Sequence, residues 1–303
     1  MDLRQLAALA AVADHRSFSA AARALHTVQS NISTHVAHLE RELGVILVER
    51  STGRLTDEGE AVVARARRIQ GELEALDADV ASIRDDVSGT VRLGVIGTTG
   101  RWLVPRLLEA VHAAHPRLRL VVVDATTTSL LPQVVEGTLD LAVVNLPLDD
   151  PDLDAEPLFS EDRIVVAPSG HPLAAREAVS LAEMAEHELL IEPQGTAFRD
   201  DLDADARRAG IVLRPQAEVD GMRLLASLAF SGYGAAVLPA SAAPASVTGD
   251  WRRVHVEGLA RRSVGLASPR RGLPSAPARA LREVLTRVVA DEVPGQPGLH
   301  PVP

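Results

Sequence analysis

Residues 17–44, SFSAAARALHTVQSNISTHVAHLERELG, carry the pattern that decides the fold of the first part of this chain. Ser17 and Ser19 supply hydroxyls that can cap a short helix over residues 20–25. A longer helix follows a brief connection and ends at Gly44. Its apolar residues recur on one face, at Ile32, Val36, Leu39 and Leu43. Two helices joined by a short turn predict a helix-turn-helix.

The flanking residues extend this motif in both directions. Residues 3–13 have a helical apolar period, which places a helix before the motif. Residues 45–49 and 54–56 are predicted to form two short strands around a turn at residues 51–53. Three helices and a hairpin over residues 1–57 predict a winged helix-turn-helix domain.

The clearest helix in the sequence covers residues 58–86. Its apolar residues alternate in steps of four and three, at Val62, Ala66, Ile69, Leu73, Leu76, Val80 and Ile83. This a/d heptad is typical of a helix that pairs with another helix, so we predict a linker and dimerisation helix. The alternative is an amphipathic helix that packs on its own domain.

From residue 90 the pattern changes to alternating strands and helices. Strands are expected at residues 91–96, 118–123 and 139–144, with helices at 102–115 and 130–136 between them. This βαβαβ series predicts a parallel sheet in an α/β fold. Further strands or helices are expected near residues 163–167, 180–186, 199–209, 235–238, 262–267 and 276–290. We predict one subdomain over residues 90–161 with 268–290, and a second over 162–267.

Composition and charge limit the classes of function. The chain has 303 residues and no cysteine, which excludes disulfides and thiolate metal sites. The net charge is −10, but residues 1–56 carry six arginines against five acidic residues. A near-neutral head on an acidic body fits a protein in which only the head contacts phosphate.

No membrane span or signal peptide is apparent, so we expect a cytoplasmic protein. We predict no cofactor and no metal. The proline-rich residues 291–303 are predicted to be a disordered tail.

Several short stretches have the order and spacing of one known family. In the head they are residues 17–22 (SFSAAA), 25–26 (LH), 29–30 (QS), 32–33 (IS), 39–40 (LE), 42–44 (ELG), 49–50 (ER), 55–56 (LT) and 59–60 (GE). Further along they are residues 137–142 (GTLDLA), 171–174 (HPLA), 232–234 (GYG) and 238–239 (LP). The chain resembles the LysR-type transcriptional regulators up to about residue 290.

The resemblance implies a homodimer or homotetramer that binds double-stranded DNA at an inverted repeat, with RNA polymerase as a possible further partner. It also implies an effector domain of two α/β subdomains, like a periplasmic binding protein. The chain departs from the family at Val28, where a serine is usual, at Thr34, where an arginine is frequent, and in a shorter wing. Thr27 is then the candidate cap of the third helix.

The second helix of a helix-turn-helix presents its N-terminal residues to base edges in the major groove. We therefore predict DNA contacts from Gln29, Ser30, Asn31, Ser33, Thr34 and His35. Glutamine and asparagine can pair with adenine, and serine or threonine can bind a base or a phosphate. Arg50 and Arg54 flank the turn of the wing and are expected to contact phosphates. For any one of these residues, the alternative is an ordinary solvated side chain.

A second set of polar residues is expected to bind a small, anionic effector between the two subdomains. Residues 94–100 form a glycine-containing turn between a strand and a helix, but their spacing departs from the dinucleotide fingerprint. The exposed N–H groups and the helix dipole at such a turn attract an anion. The candidate residues are Thr98, Thr99, Gly100, Thr127, Thr128, Asn145, Gln194, Gly195, Thr196 and Met222. The threonines could instead serve only as helix caps.

No hydrolase elbow, P-loop or HExxH motif is present in the sequence, so we do not expect an enzyme. Two other classes stay open: an enzyme with an appended DNA-binding head, and a small-molecule-binding module without specific DNA recognition. Asp140 and His171 have structural explanations, at the entry to a strand and in a turn before a proline. Effector binding is expected to change the orientation of the heads through hinges near residues 161–163 and 266–268.

Overall fold

The head of the protein contains three helices around one apolar core, in a computed structural model that describes residues 1–83 and 87–302. Its helices are α1 (Leu3–His15), α2 (Phe18–Ala24) and α3 (Gln29–Leu43). Asp2 caps α1 and Ser17 caps α2 through their side chains, whereas Val28, at the start of α3, has no side chain that can do so. The expected cap by Thr27 is wrong, because the hydroxyl of Thr27 accepts a hydrogen bond from Asn31 Nδ2 at 2.9 Å instead.

The wing is smaller than the sequence predicts. The two expected strands reduce to a single bridge between Val48 and Leu55. The peptide nitrogen of Glu49 donates to the carbonyl oxygen of Arg54 at 2.8 Å, and the chain turns back immediately through Gly53 at φ +69°. A side chain at Gly53 would meet the carbonyl oxygen of Arg16, so the turn lies directly against the end of α1. The few residues between the two bridge partners leave no length for a longer ladder.

A long helix, α4 (Asp57–Ser82), connects the head to the rest of the chain. The hydroxyl of Thr56 caps it, and Asp57, Glu58 and Glu60 in its first turn favour the positive end of its dipole. Val63 and Ala66 are buried in the core of the head. The last three residues of the predicted linker helix, 84–86, lie outside the described residues.

The larger part of the chain forms two six-stranded sheets flanked by helices. The first sheet has the order β12-β4-β11-β3-β1-β2 and the second β6-β10-β5-β9-β7-β8. The strands are β1 (Gly89–Val95), β2 (Leu118–Asp124), β3 (Leu141–Leu146), β4 (Leu153–Glu161), β5 (Arg163–Pro168), β6 (Ala178–Ser180), β7 (Glu188–Ile191), β8 (Arg214–Glu218), β9 (Ala235–Pro239), β10 (Trp251–Glu257), β11 (Arg262–Pro269) and β12 (Leu299–Pro301). The helices are α5 (Gly97–Ala114), α6 (Thr127–Glu136), α7 (Leu181–Ala185), α8 (Ala197–Arg208), α9 (Met222–Phe230) and α10 (Ala276–Glu292).

In each sheet, three strands run parallel and place their carboxyl ends at one edge. β1 pairs in parallel with β2 and β3, and β7 pairs in parallel with β8 and β9. The chain crosses between the sheets twice, between β4 and β5 and between β10 and β11. Two such α/β sheets with a double crossover have the architecture predicted for the effector domain, so the predicted fold class is confirmed.

The second crossover lies earlier than the sequence predicts. The expected boundary at residue 267 and the expected hinge at 266–268 fall inside β11, which belongs to the first sheet. β11 pairs with β3 and β4 along most of its length, and its central residues are buried between them. The chain therefore returns from the second sheet to the first through residues 258–261. The first crossover, at residue 162, lies within the segment predicted at 161–163.

The residues predicted as a disordered tail are ordered up to residue 302. β12 pairs with β4 in antiparallel fashion, and Val293 and Leu299 are buried. Because β12 is an edge strand, Pro301 costs the sheet no ladder hydrogen bond. His300 Nε2 lies 2.9 Å from Asp162 Oδ1, so the end of the chain contacts the first crossover. The proline content that suggested disorder here reflects an edge strand and a short 3₁₀ turn.

Candidate functional sites

The polar face of α3 is the candidate DNA-contacting surface. Gln29, Ser30, Asn31 and Thr34 are exposed, and Ser33 and His35 are half-buried. Ile32, Val36 and Leu39 are buried in the core of the head, as the sequence predicts. The predicted contact residues therefore share the solvent-facing side of one helix.

Two of these side chains are held in place before any DNA binds. Ser19 Oγ donates to Gln29 Oε1 at 2.7 Å, and Asn31 Nδ2 donates to Thr27 Oγ1 at 2.9 Å. Both bonds run from α3 to the preceding helix or turn. A side chain with fewer accessible rotamers loses less entropy when it pairs with a base.

The two predicted phosphate contacts of the wing have different surroundings. Arg50 Nη2 forms an ion pair with Glu40 Oε2 at 2.6 Å, and its guanidinium lies 4.9 Å from the centre of the Phe18 ring. The other carboxylate oxygen of Glu40 accepts the peptide N–H groups of Leu47 and Val48. Arg50 therefore joins α2, α3 and the wing. Arg54 is exposed, and among the described residues it forms no ion pair, so its cation is available to a phosphate.

The predicted effector residues of the first sheet gather at its carboxyl edge. α5 begins directly after β1 and α6 shortly after β2, and neither helix has a side chain that caps its N-terminal N–H groups. Two uncapped helix ends at one sheet edge concentrate N–H donors and positive dipole ends. Thr98 and Thr99 are buried in the first turn of α5, and Gly100 lies against Val95.

Thr98 belongs to a buried polar network. Arg262 Nη2 donates to Thr98 Oγ1 at 3.1 Å, and Arg262 Nε pairs with Glu161 Oε1 at 2.7 Å. The second oxygen of Glu161 accepts the peptide N–H of Ser241 at 2.7 Å. Glu161 is fully buried, so this network fixes the two crossovers against the effector edge. The hydroxyl of Thr99 is buried and has no hydrogen-bond partner among residues 1–83 and 87–302, so the described protein does not satisfy this group itself.

A second cluster lies at the ends of β2 and β3. The peptide N–H of Asn145 donates to Thr127 Oγ1 at 3.1 Å, while Asn145 Oδ1 is buried and has no partner in the part of the chain that the structure describes. Thr128 is exposed, and its hydroxyl lies 3.0 Å from that of Thr126. Thr127 and Asn145 are thus brought together, as the sequence predicts, next to the start of α6.

The second subdomain contributes the facing wall. Thr196 caps α8, and Gln194 and Gly195 are exposed in the turn before it. Met222 opens α9 and packs against the apolar cores of both subdomains. Sequence reasoning missed Glu192 in this wall. Burial raises the pKa of its carboxyl above the usual value, which Thr196 and Arg262 oppose and the charge of Asp220 reinforces. The sequence signal that could have found it is an acidic residue directly after the apolar run at residues 189–191.

Sequence reasoning also missed the ion pair that joins the two subdomains. Arg223 Nη1, on α9, donates to Asp124 Oδ2 at the end of β2. Asp124 and Arg223 are 99 positions apart, so no local pattern links them. Arg262 and Glu161 were missed for the same reason, although Arg262 begins a predicted element and Glu161 lies in the hinge predicted at residues 161–163.

A cavity of about 320 Å³ lies on another side of the first subdomain. Arg68 and Glu72 of α4 line it, together with Arg271 in the segment between β11 and α10 and Asp140 directly before β3. Burial raises the pKa of the Asp140 carboxyl, and its Oδ2 accepts the peptide N–H of Arg92 at 2.6 Å. No group of three or more potential metal ligands occurs in residues 1–83 and 87–302.

Models of two known domain families match the two parts of the chain. A model of the bacterial regulatory helix-turn-helix protein of the lysR family matches residues 3–60, and the LysR substrate binding domain matches residues 84–290. The chain belongs to the LysR family. This LysR-type protein is a DNA-binding transcriptional regulator with an effector-binding domain, as the sequence predicts.

Curated relatives agree with the family. The chain is 37% identical over 251 residues to a probable hydrogen peroxide-inducible genes activator of Streptomyces viridosporus, across 81% of this chain and 80% of that protein. It is 31% identical over 246 residues to the DNA-binding transcriptional dual regulator OxyR of Escherichia coli K12, across 80% and 81%.

Solved structures of this family have the same fold. A full-length OxyR variant from Pseudomonas aeruginosa matches with a TM-score of 0.76 at 27% identity, over 95% of this chain and 94% of that one. Full-length CbnR in complex with its target DNA matches with a TM-score of 0.70 at 25% identity, over 95% and 100%. Within the described residues of this regulator, none of the helices combines the length and apolar character that a membrane crossing requires.

Proposed function

We propose that this regulator binds an inverted-repeat operator as a homodimer or homotetramer, and that a small anionic effector between its two α/β subdomains controls it. The observation that carries the proposal is the carboxyl edge of the first sheet, where two uncapped helix ends meet buried hydroxyl groups. Such an edge stabilises an anionic group through N–H donors and aligned dipoles. The proposed DNA contacts are those of the exposed face of α3 together with Arg54, with RNA polymerase as a further partner.

We propose that the chain consists of a DNA-binding head at residues 1–57, the linker helix and the two subdomains.

Members of the family regulate transcription, and we propose that this chain has no catalytic activity of its own. Within the described residues, the Thr98 hydroxyl at this edge accepts from Arg262 and the Thr127 hydroxyl accepts the peptide N–H of Asn145, and neither partner can act as a base for a nucleophile. A cytoplasmic location follows from the proposal, because the regulator has to reach the chromosome.

Peroxide is the inducer named for several relatives, but this chain cannot sense it through a thiol. It contains no cysteine, so it lacks the side chain that forms sulfenic acids or disulfides. The absence of thiols favours regulation by reversible ligand binding, which agrees with the orphaned polar atoms at the effector edge.

The test begins with the operator, which sequencing of genomic fragments retained by the purified protein would identify. Small organic anions are then screened for a change in affinity for that fragment. In Thr98→Val, we expect the response to the effector to fall at least about tenfold while affinity for the operator stays within about twofold, because a buried hydrogen bond to a charged group is lost.

Thr90→Val is the matched control, since it removes the same hydroxyl at the opposite end of β1. A Thr98→Val protein that responds to the effector like the wild type would show that the effector lies elsewhere. Retention of fragments with no common sequence would contradict specific operator binding.

A further inference from the structure

The effector edge already holds one carboxylate, supplied by the protein. Asp124 ends β2 in the first subdomain, and Arg223 is the second residue of α9 in the second subdomain. Their ion pair crosses the cleft between the subdomains. Both side chains keep substantial exposure, 38% for Asp124 and 66% for Arg223, so a ligand can reach them.

This ion pair lies directly over the start of α5. A side-chain carbon placed on Gly97 would be 2.9 Å from Asp124 Oδ1, 3.1 Å from Arg223 Nε and 3.2 Å from Arg223 Cδ. Gly97 is the first residue of α5, whose N-terminus has no capping side chain. The Asp124 carboxylate therefore lies between a guanidinium and the positive end of a helix. Both groups stabilise a bound carboxylate, the guanidinium through charge-assisted hydrogen bonds and the helix end through its N–H groups and dipole.

The neighbouring ion pair provides a contrast. Arg262 and Glu161 are 10% and 0% exposed, and Glu161 is further held by the peptide N–H of Ser241. Breaking that pair would leave a buried charge without a partner, which is strongly unfavourable. The Asp124–Arg223 pair is exposed, and separating its members costs little. Of these two, the Asp124–Arg223 pair can exchange one of its members for a ligand, and the Arg262–Glu161 pair cannot.

On the basis of the proposed function, we propose that Arg223 binds the carboxylate group of the effector. In the effector-free protein, the Asp124 carboxylate occupies the position of that group. A small carboxylate ligand displaces the Asp124 side chain into solvent and takes over the contacts with Arg223 and the start of α5. Arg223 thus sets the specificity for an anionic group, and Asp124 acts as an internal competitor. The buried hydroxyl of Thr99, for which the described residues offer no partner, lies two residues after Gly97 in the same turn of α5.

Acetate serves as the probe, because it is the simplest molecule with this group. The full-length protein is titrated with sodium acetate against sodium chloride at constant ionic strength. Thermal unfolding gives the acetate dissociation constant. In Asp124→Asn, we expect this constant to fall about fivefold, since an exposed ion pair rarely contributes more than that factor. In Arg223→Gln, it should rise at least about tenfold through the loss of a charge-assisted bond.

The double variant Asp124→Asn/Arg223→Gln should bind acetate nearly as weakly as Arg223→Gln and far more weakly than Asp124→Asn, because the arginine provides the main contact for which Asp124 competes. Arg270→Gln is the matched control: it removes another exposed arginine, at 52%, whose partner, Asp154, lies in the same subdomain at 2.8 Å. It should leave the acetate dissociation constant unchanged.

The acetate titrations distinguish failure of the proposed exchange from failure of the anionic effector. If the wild type binds acetate but Arg223→Gln binds it equally well, or Asp124→Asn binds it no more tightly, the proposed exchange is wrong while an anionic effector stands. If neither the wild type nor Asp124→Asn is stabilised by acetate over chloride, the anionic effector fails, and this inference fails with it.

Discussion

Two glycines of α4 have opposite surroundings, which gives a prediction at the scale of single residues. A methyl group on Gly59 would overlap the carbonyl oxygen of Leu47, while nothing lies within 4 Å of the same position on Gly71. We expect Gly59→Ala to destabilise the head by about 2 kcal/mol or more through overpacking against backbone. Gly71→Ala should stabilise the helix by about 0.5–1 kcal/mol, since alanine is the better helix former.

Hydrogen exchange measures both changes in one experiment, on the amides of α1, α2 and α3 for Gly59→Ala and on those of α4 for Gly71→Ala. Gly59→Ala should speed the exchange of the amides of the head, and Gly71→Ala should slow the exchange of the α4 amides while leaving those of the head unchanged. Equal protection in both variants would mean that the wing moves away from α4 at no cost.

Asp140 gives a second residue-scale prediction, through the pH dependence of stability. Because burial raises the pKa of this carboxyl in the folded protein, its contribution to stability is present at acidic pH and is lost as the pH rises through that pKa. Asparagine keeps an oxygen that accepts the peptide N–H of Arg92. We therefore expect Asp140→Asn to raise the free energy of unfolding at about pH 7.5, with the gain shrinking towards about pH 4. Urea unfolding at the two pH values checks this, and a less stable variant at the higher pH would contradict it.

At the scale of elements, the linker helix presents an apolar stripe without a partner. Leu73, Leu76, Val80 and Ile83 are 40%, 58%, 55% and 83% exposed. On the opposite face, Ala78 is buried against the body and Gly71 lines the cavity there. The first two heptad residues, Val62 and Ala66, pack on the head, whereas the stripe from Ile69 to Ile83 is left open, which favours pairing through that part of the helix.

Leu76→Glu tests this pairing. A glutamate in the stripe should shift the protein towards monomers in light scattering. It should also lower operator affinity at least about 100-fold, because the two heads no longer bind as one unit. Gln70→Glu, on the same helix but about a quarter-turn away from the stripe, is the control and should remain oligomeric. A monomeric wild type, or an oligomeric Leu76→Glu, would exclude α4 as the pairing element.

The elements also show how far the sequence could predict this structure. The helices α3 and α4 and the strands β1 to β3 are long or regular enough for their apolar period to identify them. β8, RPQAE, is exposed throughout and contains Pro215, so nothing in its composition marks a strand. Its place depends on pairing with β7, which the sequence alone does not reveal.

The same limit applies to the candidate site. Thr98, Thr127 and Asn145 follow strands and could be predicted from position. Arg262 reaches Thr98 across 164 positions, and only the folded chain brings them together. Sequence periodicity therefore predicts the walls of the cleft, but not the charges that face each other across it.

At the scale of the whole molecule, a continuous set of contacts links the effector edge to the linker helix. α5 begins at that edge and packs along α10. At the start of α10, Asp79 of α4 accepts the peptide N–H of Ala276 at 2.8 Å and pairs with Arg279 at 3.2 Å. A movement of α5 on effector binding can thus reach α4 through one carboxylate that caps a helix.

Asp79→Ala removes this contact and leaves both binding sites intact. We expect effector and operator each to bind within about twofold of the wild type, while the effect of the effector on operator affinity is largely lost, since coupling requires a contact that differs between the two states. The amide of Ala276 should also exchange several times faster with solvent, because it loses its acceptor. Asp77→Ala removes an exposed carboxylate of the same helix that has no ion pair among the described residues, and its coupling should be that of the wild type. If Asp79→Ala keeps the full effect of the effector on operator affinity, the signal reaches the heads by another route, and the hydrogen exchange of Ala276 then shows whether the contact was broken at all.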